Sequence, residues 1–475
     1  MSSGSITYGL VGMPNSLDPH NQVVPNDFAT RVAFDSLLMP DDSGGLMPWL
    51  AHAYGAIDPQ TWEFQLRDGV RFASGRELTA EAVAWNFKRL AHNPRLLAAA
   101  RIPTLESCEV MSSNTLRFHT SGPDVIWPRR VLQVVIMDPE ETTIEAQTVP
   151  SPTAGTGLFR IIDFQPGVST HLEACADTWR GSPALQGLRV LPRNPESLLA
   201  GLLDGEIDFG YLSAQLLAKG VHAGLILQQI LQSNVHMIRF NSTRPPFEDG
   251  RLREAVALAL DLESILAHRY LGEGRAPNQL VGADCFGFDP DRGRPVRDPI
   301  RARELVTASG FTDALSMDVL ESSAVLRPWG EAAVEALNDV GLNVHVNLVD
   351  LPTYLGKLAA NDPPRAELIG AGNQYGPGQD AEFSLNKFSN RLPAEQVEYD
   401  NNEFQRIYDA SQVEFDPQRR AAMLRECTRV LLADHGCVPV YQPALSWLMS
   451  PRITGLHMNT IGAGWIDWKD VAVRR

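Results

Sequence analysis

Hydrophobic and polar positions alternate along residues 61–78, TWEFQLRDGVRFASGREL, in the pattern of a β-hairpin. Apolar side chains occupy every second position from Trp62, which is typical of a strand with one buried face. Arg-Asp-Gly at 67–69 is a turn sequence, and the alternation resumes at Val70. We therefore expect two antiparallel strands joined by this turn.

Three other stretches predict helices with marked ends. Thr79 precedes a helical pattern and has Glu81 in the first turn, where an acid favours the helix dipole. Residues 298–310 begin with Asp-Pro and end with Gly, and residues 416–436 repeat this arrangement. An Asp cap, a Pro in the first turn and a terminal Gly together define both ends of a helix.

Helices and strands continue to alternate in the second half of the chain. Residues 331–341 have helical spacing and end at a glycine, and NVHVNLV (343–349) then alternates apolar and polar side chains. Successive βαβ units build a sheet covered by helices, so the fold class is α/β. Residues 102–160 differ, because short strands, prolines and the loop SPTAGTGLF predict a small domain inserted into the α/β body.

Composition narrows the classes of function. The chain has 475 residues, of which 44% are hydrophobic, and a net charge of -16. This length suits about two to four domains. The negative charge argues against nucleic acid and against adsorption to an anionic membrane, since both attract clustered Lys and Arg. No run reaches the ~18 apolar residues that a membrane span needs.

The first residues, Met-Ser-Ser-Gly-Ser, resemble the remnant of a cloning tag in front of a strand. A protein whose signal peptide has been removed begins in this way, and so does a cytosolic protein. Five cysteines are present, and no two form a Cys-x-x-Cys pair, so neither a zinc site nor a redox pair is predicted. Cys427 and Cys437 could form a disulfide, but small buried thiols are favoured.

Catalytic motifs are missing from the sequence. There is no Gly-x-Ser-x-Gly, His-Glu-x-x-His, Walker A or Gly-x-Gly-x-x-Gly stretch, and no two of the eleven histidines are four residues apart. His435 lies near a predicted helix end, where a lone histidine usually has a capping role. No residue is nominated as a catalytic group.

The stretch GAGNQYGPGQDAEF (370–383) is rich in glycine and in polar, mostly uncharged side chains. A phosphate-binding loop needs Lys and Ser or Thr directly after its last glycine. Here Gly378 is followed by Gln379 and Asp380, and a carboxylate repels phosphate. The pattern therefore excludes a phosphate loop and leaves another ligand, or an ordinary surface loop.

Several motifs, taken in order, resemble the family 5 extracytoplasmic solute-binding proteins, which are peptide, nickel and opine receptors of ABC importers. TWEFQLRDGVRFASGRELTAEAVAWNF is similar to the family's W-x-F-x-L-R-x-G-V-x-F signature and the helix start after it. Further matches follow in the family's order: SLDP (16–19), FDSLL (34–38), PWLA (48–51), GTGLF (155–159), LLDGEIDFG (202–210) and FNSTRPPFEDGRLREAVALALDLESIL (240–266). Two positions depart from the pattern, because Ala82 stands in place of an Asp and Leu158 in place of a frequent Pro.

The resemblance implies a two-lobed periplasmic-binding-protein fold of the large, three-domain, pear-shaped type, with the ligand cleft between the lobes. Lobe one would combine 1–42, 155–237 and 445–475, and residues 43–154 would form the small extra domain. Lobe two would span 238–444. The strands near HMIRFN and YQPAL would act as the hinge.

The resemblance also implies where the ligand binds, since the glycine-rich loop occupies a segment that lines the cleft in the family. Asn373 stands about where dipeptide receptors have an aspartate, which weakens the case for a dipeptide because Asn offers no countercharge. Arg129 or Arg327 could hold a carboxylate, or either could be a surface residue. The expected ligand-binding residues are Asn373, Tyr375, Gln379, Asp380, Asn15, Ser16, Trp127, Arg129, Arg327, Tyr441 and Gln442.

The implied function is that of a periplasmic receptor whose signal peptide has been removed or replaced. It would have no catalytic activity and no cofactor, and would act as a monomer that delivers its solute to the transmembrane subunits of an ABC permease. An opine or sugar–amino-acid conjugate and an oligopeptide are equal candidates for the solute, and a metal chelate ranks behind them. A cleft hydrolase and a chemosensory or chaperone-like binding protein are the alternatives. Nucleic acid and direct membrane insertion are not expected.

Overall fold

The structure is a computed structural model of the 475-residue chain. It describes residues 4–10, 18–21, 31–41, 45–144, 154–212, 214–294, 296–321, 323, 325–360, 366–372, 379–392, 396–457 and 466–474. The chain divides into two compact units, the first formed by Met1–Ile230 with Leu445–Arg475 and the second by Leu231–Ala444. The chain thus passes between the units twice, at 230/231 and at 444/445.

The strands in chain order are β1 Ser5–Leu10, β2 Leu38–Pro40, β3 Leu46–Pro48, β4 Ala51–Asp58, β5 Thr61–Leu66, β6 Leu105–Val110, β7 Thr115–Thr120, β8 Phe159–Gln165, β9 Ser169–Ala174, β10 Gly187–Pro192, β11 Phe209–Tyr211, β12 Ile226–Leu231, β13 His236–Phe240, β14 Ala314–Leu320, β15 Asn343–Val349, β16 Leu368–Gly372, β17 Cys437–Tyr441, β18 Ala444–Met449, β19 Ile453–Thr454 and β20 Ala472–Val473.

The α-helices are α1 Ala80–His92, α2 Trp127–Val131, α3 Pro195–Leu203, α4 Ala214–His222, α5 Gly250–Ala259, α6 Leu262–Arg269, α7 Pro299–Ser309, α8 Leu326–Asp339, α9 Leu351–Ala360, α10 Glu382–Leu385, α11 Asn402–Ser411 and α12 Pro417–Ala433. Short 3₁₀ turns lie at Leu97–Arg101, Pro139–Glu141 and Asn386–Phe388. None of the helices described is long and apolar enough to cross a membrane.

The first unit is built on a seven-stranded sheet in the order β12-β18-β11-β1-β10-β9-β8. Its central strand β1 runs parallel to β10 and β11, and the outer pairs β10–β9, β9–β8 and β11–β18 are antiparallel. Aromatic rings fill its core, where Tyr8 stacks on Phe209 with ring centres 4.5 Å apart.

A second sheet of the first unit, in the order β4-β5-β7-β6, lies within the predicted small domain 43–154. The predicted hairpin at 61–78 is wrong, because β5 pairs with β4 and β7 and not with the residues after the turn. Val70 is buried, and the segment that follows closes on itself through a bridge between Arg71 and Glu77. The alternation identified a half-buried strand correctly, but it does not identify the partner of that strand.

The second unit has a five-stranded sheet in the order β15-β14-β16-β13-β17. Strand β14 runs parallel to β15 and β16, whereas β13 runs antiparallel to β16 and β17. Helix α8 packs against this sheet through Trp329, whose side chain is completely buried. The strand predicted at 343–349 is confirmed, and the helix predicted to begin at 331 begins earlier, at Leu326.

The marked helix ends follow the sequence signals closely. Thr79 and Asp298 accept hydrogen bonds as N-caps, and Gly310 ends α7 with φ of 70°. At the end of α12 the left-handed residue is His435, with φ of 49°, and not the glycine after it. Gly436 is required for packing, because a Cβ there would lie 2.4 Å from the Leu431 side chain.

None of the five cysteines, all of which lie in the described part of the chain, forms a disulfide, and this includes Cys427 and Cys437. The expected hinge strand HMIRFN contains β13 and lies entirely within the second unit, starting at the sixth residue of that unit. The other expected hinge segment, YQPAL, contains the point at which the chain leaves the unit. The three-domain partition stays a prediction.

Candidate functional site

Most strands of the five-stranded sheet end at the same edge, and the loops that follow them can form a ligand site. Four of the five strands, β14, β15, β16 and β17, end at this edge, and β13 begins there. His236, the first residue of β13, pairs with Gly372 on one side and Tyr441 on the other. In open α/β sheets, ligands bind outside the carboxyl ends of the strands. We call this region the carboxyl edge.

The glycine-rich loop leaves β16 at the carboxyl edge. Gly372 ends the strand, and the predicted ligand residues Asn373 and Tyr375 lie outside the described residues. The chain is described again from Gln379, which has φ of 40° and is 1% exposed. Backbone hydrogen bonds hold this end of the loop, since Phe286 N donates to Gln379 O at 2.9 Å.

The side chain of Gln379 fixes the end of the loop to two other segments. Its Nε2 donates to Asp284 Oδ2 at 2.5 Å and to Ser233 Oγ at 3.1 Å. Ser233 Oγ in turn donates to the same Asp284 oxygen at 2.5 Å. We call these three residues the Gln379 clamp. It joins the end of the glycine-rich loop to the segment by which the chain enters the second unit.

Gln442 links the entering and leaving segments directly. Its Nε2 donates to Gln232 O at 2.7 Å, and its backbone forms an isolated bridge with Arg275. The side chains of Gln442 and Asp284 lie close to Gly282. A Cβ at Gly282 would lie 2.8 Å from Gln442 Nε2 and 2.9 Å from Asp284 Oδ1, so this position requires glycine. Gln442 and two residues of the Gln379 clamp, Ser233 and Asp284, thus all lie close to Gly282.

Aromatic rings surround His236 at the carboxyl edge. Tyr441 stacks on Tyr270 with ring centres 4.0 Å apart and packs edge-on against His236 at 5.9 Å. Trp329 lies on the other side of the imidazole, and its Nε1 donates to His236 Nδ1 at 3.4 Å. Burial lowers the pKa of His236 from 6.5 to about 4, so the imidazole is neutral at pH 7.

Asp380 has a structural partner inside the second unit. Both of its oxygens accept from Arg420, at 2.7 and 2.9 Å, and its side chain is completely buried. Arg327 is exposed and pairs with Glu331 one turn further along α8, at 2.8 Å. These geometries show the partners of both residues, and a ligand-binding role for either stays a prediction.

The first unit contains the remaining predicted residues. Trp127 is completely buried among Phe87 and Phe118, with ring centres 6.5 and 5.2 Å away. Arg129 follows in the same helix and is half-buried. Asn15 and Ser16 follow β1 and lie outside the described residues.

Sequence reasoning missed Ser233, Asp284 and His236. His236 lies in the strand that the sequence predicted as a hinge, but no sequence signal predicted that its imidazole would lie at a candidate ligand site. Asp284 lies 51 residues from Ser233 and 95 from Gln379, and no motif joins these segments. Among the described residues, no three His, Cys, Asp or Glu side chains are arranged to hold a metal ion.

A separate surface pocket of the second unit has a volume of about 630 Å³. Arg292, Arg429 and Asp289 are among its lining residues, and Arg429 lies 3.5 Å from the Asp289 carboxylate. Its charges are mixed, and none of the predicted ligand residues that the structure describes is among its lining residues. The carboxyl edge is therefore the stronger candidate site.

Comparison with known proteins identifies the family. The model of the bacterial extracellular solute-binding proteins, family 5 (middle segment), matches residues 45–389. The chain belongs to this family. Members are solute-binding receptors of ABC importers, so the expectations of a periplasmic receptor, of delivery to an ABC permease and of no enzymatic activity are confirmed.

Curated family members are similar over about two thirds of their length. The peptide transport periplasmic protein SapA of Salmonella typhimurium is 23% identical over 379 residues, which cover 73% of this chain and 69% of SapA. The nickel-binding periplasmic protein of Escherichia coli is 22% identical over 327 residues, which cover 65% of this chain and 61% of that protein.

Solved structures share the fold over the whole chain. The substrate-binding protein CtaP of Listeria monocytogenes has a TM-score of 0.86 at 16% identity and covers 100% of both chains. NikA of Brucella suis, solved with Fe(III)-EDTA, has a TM-score of 0.86 at 18% identity, with 98% of this chain and 100% of NikA covered. The expected two-lobed α/β fold of periplasmic binding proteins is confirmed.

Proposed function

We propose that this receptor binds a peptide-like solute, with amide, carboxylate or hydroxyl groups, at the carboxyl edge of the second unit. The observation that supports this most directly is the Gln379 clamp. It holds the end of a glycine-rich loop beside the segment containing Ser233, and it does so with hydrogen bonds and not with a hydrophobic contact. A loop whose end is fixed in advance has less conformational entropy to lose when a solute binds.

The groups that this edge offers are mostly neutral hydrogen-bonding groups. Gln379 and Gln442 contribute amides, and we propose that Asn373 and Tyr375 extend this surface with an amide and a phenol. Amides both donate and accept, so they suit the carbonyl, carboxylate and hydroxyl groups of peptides and of opines or sugar–amino-acid conjugates. No countercharge for an ammonium group is proposed among them.

In the first unit, Asn15 and Ser16 follow β1, which runs parallel to β10 and β11. Because ligands bind beyond the carboxyl ends of strands in such sheets, we propose these two residues, which follow the end of β1 in the sequence, as further ligand contacts. Arg129 remains a proposed carboxylate partner. We do not include Trp127, Arg327 and Asp380 in the proposed contacts, because Trp127 packs among aromatic rings and the other two are in ion pairs; their ligand-binding roles stay predictions.

The names of the relatives support a peptide-like solute without selecting one. Relatives include the peptide transport protein SapA, the oligopeptide-binding protein OppA and the glutathione-binding protein GsiB. A nickel-binding relative keeps a metal chelate as the second candidate. We propose that the receptor acts as a monomer and passes its solute to the transmembrane subunits of the permease.

A thermal-shift screen tests this proposal. The protein is unfolded, refolded to remove bound solute, and heated with di-, tri- and longer peptides, glutathione, opines and their parent sugars, and nickel with and without histidine. A solute present at 100 times its Kd adds about 2.7 kcal/mol to the free energy of unfolding. A shift with peptides or opines supports the proposal. A shift only with the nickel–histidine chelate contradicts it in favour of the second candidate.

A further inference from the structure

His236 holds a hydrogen-bond donor at the carboxyl edge for which the described part of the chain offers no acceptor. The imidazole is only 7% exposed, and its Nδ1 lies 3.4 Å from Trp329 Nε1. An indole N–H can only donate, so Nδ1 must be the unprotonated nitrogen that accepts. The proton of the neutral ring is therefore on Nε2.

Nε2–H has no acceptor among the residues that the structure describes, where the hydrogen bond from Trp329 is the one side-chain hydrogen bond of His236. The ring is 7% exposed, so an acceptor for this N–H can reach it from the edge, and that acceptor can be water or a bound solute. The ring begins β13, directly between the last residue of β16 and Tyr441. It therefore lies next to the start of the glycine-rich loop.

The chemistry of this donor selects its partner. Burial alone accounts for the lowered pKa of His236, and no charged group contributes to it. A neutral N–H donor attracts an oxygen acceptor and disfavours an ammonium group. We infer that His236 is a specificity-determining residue whose Nε2–H donates to a carbonyl or carboxylate oxygen of the solute. This inference rests on the proposed function.

Three variants separate the donor from the ring. His236→Phe keeps an aromatic ring and removes the donor. His236→Gln removes the ring and keeps an amide N–H near the position of Nε2. Trp329→Phe leaves the imidazole in place but removes the group that fixes its tautomer. The thermal midpoint of each variant without solute shows whether it folds.

Calorimetric titration with trialanine, glutathione and octopine, an opine, measures the effect on Kd. One of these probes is expected to bind the wild type, and His236→Phe should raise the Kd for that probe by about 10-fold or more. This is the change expected from the loss of one desolvated hydrogen bond. His236→Gln should stay within about threefold of the wild type. Trp329→Phe should fall between them, since the ring can then change tautomer.

Nitrogen-15 spectra of histidine-labelled protein supply a readout that a purely structural role would not move. The His236 signals, assigned by their loss in His236→Gln, should show the Nε2–H tautomer from pH 5.5 to 8 and should shift when the solute is added. An Nδ1–H tautomer would overturn the inference. So would unchanged affinity in His236→Phe, although the receptor function would stand. If none of the three probes binds the wild type, the proposed function fails and the inference fails with it.

Discussion

Asp380 and Arg420 form an ion pair with two hydrogen bonds inside the second unit. Arg420 Nη1 donates to Asp380 Oδ2 at 2.7 Å and Nη2 donates to Oδ1 at 2.9 Å. The Asp380 side chain is completely buried, and Arg420 is 4% exposed. The pair fixes the segment that follows the Gln379 clamp onto α12. The neighbouring residues Gln379 and Asp380 thus differ in environment, because Gln379 lies in the clamp and Asp380 lies in a buried ion pair.

Removal of one partner of this pair should destabilise the protein strongly. We expect Asp380→Ala to lower the free energy of unfolding by about 3–5 kcal/mol, because the buried Arg420 guanidinium would lose the carboxylate that it hydrogen-bonds twice and would keep only the charge of the neighbouring Glu382. Arg327→Ala is the matched control, since its exposed pair with Glu331 should contribute no more than about 0.5 kcal/mol. Urea unfolding measures both.

The double variant Asp380→Leu/Arg420→Met should recover much of the stability lost in Asp380→Ala, because the guanidinium is removed together with its partner and Glu382 keeps its hydrogen bond from Tyr408. Equal destabilisation by Asp380→Ala and Arg327→Ala would contradict the structural role of Asp380. Loss of solute binding in Asp380→Ala without loss of stability would instead support the predicted ligand-binding role of Asp380.

Close packing explains why the GTGLF motif begins with glycine at position 155, and it predicts that a methyl group added there is destabilising. A Cβ on Gly155 would lie 1.9 Å from the Ala33 carbonyl oxygen, and backbone cannot move aside cheaply. We expect Gly155→Ala to destabilise the protein by more than about 3 kcal/mol or to prevent its accumulation as folded protein. Thermal unfolding and the yield of folded protein measure this effect.

Gly55 provides the control for that substitution. It lies in β4, and a Cβ there would meet no atom within 4 Å. Gly55→Ala should therefore change stability by less than about 1 kcal/mol and in the stabilising direction, because alanine restricts the unfolded chain. Similar losses in the two variants would show that the close approach of Ala33 is not the cause.

His20 should make stability depend on pH. Its ring is buried, with Nε2 2.9 Å from Val135 O and Nδ1 2.8 Å from Arg89 Nη1. Burial first, and then the Arg89 charge, lower its pKa from 6.5 to about 4, against the opposing effect of Asp18. The unfolded chain binds a proton at a higher pH than the folded chain. The stabilisation is therefore complete above pH 6.5 and is lost as the pH falls towards 4.

The size of this effect follows from linkage. Between pH 7.5 and pH 5, His20 should account for a loss of about 2 kcal/mol in the free energy of unfolding. His20→Gln cannot titrate in this range, so its unfolding free energy should fall less steeply over the same interval. Urea unfolding at several pH values compares the slopes, and parallel curves for the two proteins would contradict the assignment.

The Gln379 clamp should affect solute binding more than folding. We expect Gln379→Ala to weaken the affinity for the solute found in the screen by about 10-fold, because the end of the loop must then be ordered on binding. Gln165→Ala is the control, since this exposed glutamine also donates to a carboxylate, Asp163, at 3.3 Å. Calorimetric titration measures both. An unchanged Kd in Gln379→Ala would remove the clamp from the proposed site.

Local features of the sequence determined the ends of several helices and the type of several strands. Thr79, Asp298 and Gly310 act at helix ends through their own side chains or backbone, so their effect depends on only a few neighbouring residues. The order of short motifs also identified the family, because those motifs preserve turns and close contacts such as that of Gly155.

Tertiary structure alone decided which residues lie together. The sequence pattern gave β5 its half-buried face, but the strands that pair with it come from before and after it in the chain. Gln379 and Asp380 looked equivalent in the sequence, and only packing placed one beside Ser233, 146 residues away, and the other against Arg420. Pairing and burial depend on contacts between distant segments, and the local pattern of a chain does not encode the identity of those partners.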